Sequence, residues 1–242
     1  MTNRIAETLP MNNERAASAR IAGLSLLLMS ILAFFANFFI LEALIIPGDT
    51  ATTATNIMDN ELLFRFGIVS FIIVIILDLL VAWALYIFLK PINKNLAMLA
   101  AWFRIVFLAI WGSAFYNLFN AVQLASSDDY LTVLGTEQLH AQVMLAINSF
   151  DTGWLIGLVF ISFHLMLIGY LAIKSGFMPS IIGALLVLAG FGYLIDSFAQ
   201  FLLPNYADYE AIFLMIVAIP GIIGEMSLMF WLLIKGVKVG KS

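Results

Sequence analysis

The 242-residue chain has no cysteine, only two histidines, and 11% charged side chains, where an average soluble domain carries about 25%. Without cysteine there is no disulfide framework, no thiolate-zinc or iron–sulfur site and no thiol nucleophile. His140 and His164 are too few for a tri-histidine zinc site and lie at different depths, which removes a bis-histidine haem. Every lysine lies in a flank of the long apolar runs, so no retinal-type Schiff base is available. A net charge of −4 without a dense basic cluster removes nucleic acid as a partner. What abounds is apolar: 63% of the residues are hydrophobic and the mean hydropathy is +1.06. That composition cannot furnish a polar surface around a core, so the lipid bilayer must serve as solvent for most of the chain.

A spanning helix needs about 20 mostly apolar residues. Six stretches qualify, roughly 21–46, 67–89, 96–123, 153–173, 180–203 and 211–234, behind a polar N-terminal segment 1–20. The expected fold is a single all-α domain, an integral membrane bundle of six transmembrane helices. The first run is longer than a signal-peptide core of about 7–15 residues and is read as an uncleaved span. Arg4, Arg15 and Arg20, then Lys90 and Lys94, Lys174, and Lys235, Lys238 and Lys241 fall on one side of such a bundle, while the opposite loops carry mostly acids. Lys and Arg in short loops resist translocation, which places both termini in the cytoplasm and the protein in the cytoplasmic membrane. The turns at Lys90-Pro91-Ile92-Asn93 and Lys174-Ser175-Gly176 predict antiparallel hairpins. On the outer side, Asp49 after Pro47-Gly48 reads as a helix N-cap. Leu131, Leu134, Leu139, Val143, Ile147 and Phe150 recur at helical spacing, so interfacial helical segments are expected there.

Ionisable groups inside the hydrocarbon cost about 2.5–3.5 kcal/mol each on insertion scales. Counting about 1.5 Å per residue from the cytoplasmic helix ends puts Asp78, Arg104, His164 and Glu225 about 12–16 Å deep, in one midplane layer. This set is neutral if His164 is protonated or if one carboxyl is. Asp78 and Arg104 are expected to pair across adjacent helices. Gly153, Gly157 and His164 share one stripe, which turns His164 toward a close helix contact. Asp196, at about 24 Å, belongs to an outer layer with Tyr193 and Gln200, and Asn117 and Asn120 form a second outward stripe. The two stripes could meet in an outer polar pocket, or serve only as interhelical hydrogen bonds. Asp78, His164 and Glu225 offer mixed donors for a divalent ion, but Arg104 in the same layer would repel it, and neither a resident metal nor a cofactor is expected.

Through nearly its whole length the chain resembles the bacterial and archaeal multi-pass membrane proteins grouped as domain of unknown function 4386. The resemblance rests on Ile46-Pro47-Gly48-Asp49, Leu77-Asp78-Leu79, Lys90-Pro91-Ile92-Asn93, Phe103-Arg104, Gly157 with His164, the Lys174–Pro179 turn, Gly192-Tyr193-Leu194-Ile195-Asp196-Ser197-Phe198 and Gly224-Glu225. It implies a six-helix membrane protein and brings no activity or cofactor with it. From the residues, the expected function is a transporter-like one, with a midplane site for a proton, an ion or a small solute. The alternatives are a membrane-embedded enzyme acting on a lipid and a non-catalytic scaffold or sensor, and a homo-oligomer is open.

Overall fold

The computed structural model describes residues 13–236. It is all-helical, with no strand among the described residues. Six helices are long and apolar enough to cross a membrane: α1 (Asn13–Leu44), α3 (Glu61–Leu89), α4 (Lys94–Ala125), α6 (Thr136–Ser175), α7 (Ser180–Leu202) and α8 (Glu210–Ile234). Two shorter helices, α2 (Thr50–Asp59) and α5 (Asp128–Leu134), follow α1 and α4. Helices dominate because a backbone in hydrocarbon must satisfy its own N–H and C=O groups, which an α-helix does within one segment.

The breakers act as their chemistry requires. Gly48, Gly135 and Gly176 adopt φ of 80°, 77° and 72°, values that L side chains rarely take. Asp49 caps α2, accepting from the Thr52 backbone N–H at 2.9 Å and from its hydroxyl at 2.6 Å. The Thr52 hydroxyl, then its N–H, hold the Asp49 carboxyl below the usual carboxylate range. Near its end α1 loosens into a π-helical turn over Asn37–Leu41, which the Asn37 amide spans by donating to Glu42 at 2.9 Å.

Two sequence expectations change. The periodic stretch through Leu139, Val143, Ile147 and Phe150 is not a separate interfacial segment. It is continuous with the fourth span as α6, 40 residues and about 60 Å long, because no proline interrupts the backbone between Thr136 and Ser175. Within the N-terminal segment read as polar, Arg15 is buried, 3% exposed. Its Nε donates to the Phe88 carbonyl at 3.3 Å, and its guanidinium lies 4.9 Å and 5.4 Å from the Phe177 and Phe88 ring centres. An arginine accepts such a place because its flat, weakly hydrated cation stacks on aromatic faces.

The chain divides into two compact units. The first comprises residues 13–27, 78–108 and 156–236. There Phe88 at the end of α3, Phe177 in the turn after α6 and Trp231 near the end of α8 form an aromatic cluster with Arg15 of α1. Lys90 reaches Glu14 at 3.1 Å. The start of α1, both basic turns and the end of α8 therefore belong to the same unit. Within it α6 and α7 touch backbone to backbone, since a Cβ on Gly169 would stand 2.5 Å from the Gly183 carbonyl oxygen and one on Gly190 2.6 Å from that of Ser162. The second unit comprises residues 28–77 and 109–155. Its core is aromatic: Phe71, Trp111, Phe115, Phe150 and Trp154 pack with ring centres 4.9–5.7 Å apart.

Candidate functional site

Three of the four residues assigned to the midplane layer meet directly in the first unit. Asp78 of α3, Arg104 of α4 and His164 of α6 are 1%, 4% and 1% exposed. Arg104 donates to Asp78 Oδ1 through Nε at 2.8 Å and also through Nη2. Its Nη1 points the other way and donates to His164 Nε2 at 2.8 Å. The second imidazole nitrogen, Nδ1, lies 2.8 Å from the Ala100 carbonyl, one turn before Arg104 on α4.

These contacts fix the protonation pattern by elimination. A carbonyl only accepts, so Nδ1 carries the hydrogen; a guanidinium only donates, so Nε2 offers a lone pair. His164 is therefore neutral, and the reading in which it supplies a second positive charge is corrected. One cation stands against one anion in Asp78 and Arg104, and the imidazole serves as acceptor for the guanidinium edge that Asp78 leaves free. The glycine stripe explains how α6 comes close enough: a Cβ on Gly157 would meet the Phe107 ring at 3.0 Å.

Glu225 of α8 is the fourth member. It is half-buried and within electrostatic reach of both Arg104 and Asp78. Gly221, one turn before Glu225, makes room for the phenol: a Cβ there would lie 3.2 Å from the Tyr193 hydroxyl. The long Tyr193 side chain thus carries its hydroxyl from α7 to α8, beside Gly221 and one turn from Glu225.

Asp196 of α7 is buried and has its own partners. It accepts from Gln200 at 2.9 Å and from the Tyr206 hydroxyl at 2.6 Å. Burial, then the hydrogen bond to Asp196, raise the Tyr206 phenol above its ordinary range. Sequence reasoning missed Tyr206; the signal was Pro204, which ends α7 and turns the chain back on itself. Asn117 and Asn120 of α4 belong to the second unit, where they line a polar cavity with Gln123, Tyr130, Gln142 and Ser149. Among the described residues no group of three or more His, Asp or Glu side chains is placed to hold a metal ion.

Six apolar helices carrying a buried acid–arginine–imidazole network define a helical protein of membrane-spanning architecture. The chain belongs to the family described as "Domain of unknown function (DUF4386)", which matches residues 21–236. It is also similar to an "Uncharacterized protein" of Archaeoglobus fulgidus, 34% identical over 176 residues, which are 73% of this chain and 87% of the relative. No solved structure matches the chain.

Proposed function

We propose that the chain is a carrier of the cytoplasmic membrane, with both termini inside, in which Glu225 takes up and releases a proton while an ion or small solute moves between the two sides. One observation supports this above the others. Asp78 and Arg104 neutralise each other and His164 is neutral, so the cluster supplies no second cation for Glu225. An acid near the midplane without its own counter-charge is a proton site by default. The Tyr193 hydroxyl reaches α8 beside Gly221, one turn from Glu225, and a phenol there suits both states, since it can donate to a carboxylate and accept from a carboxyl. The Asp78–Arg104–His164 network ties α3, α4 and α6 together around this layer.

Proteoliposomes adsorbed on a solid-supported electrode test this. A step in external pH should drive a transient charge displacement in the wild type that disappears in Glu225→Gln and persists in Glu137→Gln, far along the chain on α6. A wild type that shows no displacement over the range pH 4–9, or a Glu225→Gln variant that keeps it, overturns the proposal.

A further inference from the structure

In the second unit the last turns of α4 and the first turns of α6 face each other across an open cavity of about 370 Å³, within the range of small-molecule sites. From α4 come Asn117, Asn120 and Gln123 at spacings of three; from α6 come Gln142 and Ser149, seven apart on one face; Tyr130 of α5 completes the lining. Asn117 uses one amide hydrogen on the Ala114 carbonyl at 3.2 Å, and Ser149 donates to the Leu145 carbonyl at 2.7 Å, so both keep their acceptor oxygens. The amides of Asn120, Gln123 and Gln142 and the hydroxyl of Tyr130 make no side-chain hydrogen bond to the described residues.

The composition of this lining selects a ligand. No lining side chain is ionisable in the neutral range, so an ion finds no counter-charge. Four carboxamides and two hydroxyls each combine donor and acceptor, which suits a partner whose groups also do both. Hydroxyls meet that description. Leu124, Leu145 and Ala146 also line the cavity, and they and the flat Tyr130 ring offer apolar surface to the C–H face of a ring. We infer that this cavity is a binding site for a neutral polyhydroxylated ring, either a free sugar or cyclitol or the glycosyl headgroup of a lipid. The inference stands apart from the proton chemistry of Glu225 and does not rest on it.

Saturation-transfer NMR on the protein in phosphatidylcholine nanodiscs, free of sugar-headed detergent, provides the test. D-glucose and myo-inositol probe the free source; monoglucosyl diacylglycerol incorporated in the disc, competing against D-glucose, probes the headgroup source; urea is the amide control. The expected result is transfer to at least one polyol, with Asn120→Leu and Gln142→Leu each weakening binding 10-fold or more and Gln138→Leu, outside the lining, leaving it unchanged. Transfer to free polyols that the glycolipid does not displace supports a soluble ligand; displacement by the glycolipid, or binding of the glycolipid alone, supports a headgroup. No transfer to any polyol and no glycolipid binding, binding indifferent to Asn120→Leu and Gln142→Leu, or urea binding as well as the polyols overturns the inference. Asn120 and Gln142 are exposed, so the variants should fold, and an unchanged Tm confirms it.

Discussion

Removing Arg104 leaves two groups without their donor, whereas removing Asp78 takes from Arg104 one of its two side-chain partners. With Arg104→Gln the Asp78 carboxylate and the His164 Nε2 lone pair both lose their donor. With Asp78→Asn the guanidinium keeps the imidazole and has Glu225 within electrostatic reach. Stranding one member of a buried pair costs about 3–5 kcal/mol, and an orphaned buried acceptor adds about 1–3 kcal/mol. Arg104→Gln should therefore lower the Tm of the solubilised protein more than Asp78→Asn does, and the double variant should lose less than the sum. Strict additivity would mean that the two are not coupled. This pair was legible in the sequence because Asp78 and Arg104 stand at similar distances from one tight turn. The state of His164 was not, since it depends on which atom meets each ring nitrogen, and no residue pattern reports a backbone carbonyl such as that of Ala100. A second prediction concerns Tyr206. Its phenol is raised above the ordinary range by burial and by the hydrogen bond to Asp196, so the folded protein binds the phenolic proton more tightly than the unfolded chain. The resulting stabilisation is complete below the unfolded value of about 10 and is lost as pH rises through the higher folded value. Tyr206→Phe should cost about 1–2 kcal/mol at neutral pH, and the Tm gap to wild type should hold up to pH of about 10 and narrow only above it.

Helix contacts show a different division between what pattern reveals and what it hides. The six spans follow from hydropathy because the bilayer sets a minimum apolar length, and the Asp49 cap follows from a short polar residue before a helical run. The continuity of α6 was hidden, since its first turns carry Glu137, Gln138, Gln142 and Asn148 and only an unbroken backbone ladder shows that they extend the span. The glycines behave likewise. Gly157 was recognisable beside His164, but the closer approach, α6 on α7, runs through Gly169, Gly183 and Gly190, whose facing partners are backbone atoms. Backbone cannot step aside as a flexible side-chain tip can. Gly183→Ala would place its methyl 2.5 Å from the Gly169 oxygen, and relieving such overpacking costs about 1–3 kcal/mol. The expected outcome is a lower Tm for Gly169→Ala and Gly183→Ala but not for Gly112→Ala, whose Cβ would find only Ile75 Cδ1 at 3.5 Å. Equal Tm values for all three would mean that α6 and α7 are not in backbone contact.

For the molecule as a whole, the distribution of charge makes a statement about sidedness that packing alone does not. The first unit brings the start of α1, the Lys90 and Lys174 turns and the end of α8 together, tied by the Lys90–Glu14 pair and the ring cluster around Arg15. These segments carry the basic residues, so whichever side of the membrane one of them faces, the others face too. The preference of Lys and Arg for the untranslocated side then orients the whole chain with one choice. The absence of native cysteine makes that choice directly measurable. Asn95, beside the first basic turn, is exposed, as are Thr55 of α2 and Gln138 of α6 on the acidic connections. Cysteines at Thr55 and Gln138 should react with a membrane-impermeant maleimide added to intact cells, whereas one at Asn95 should react only after the membrane is opened. Labelling of Asn95→Cys in intact cells with protection of the other two would invert the orientation. Labelling of all three from one side would break the link between the basic segments and a single face, and with it the six-span topology.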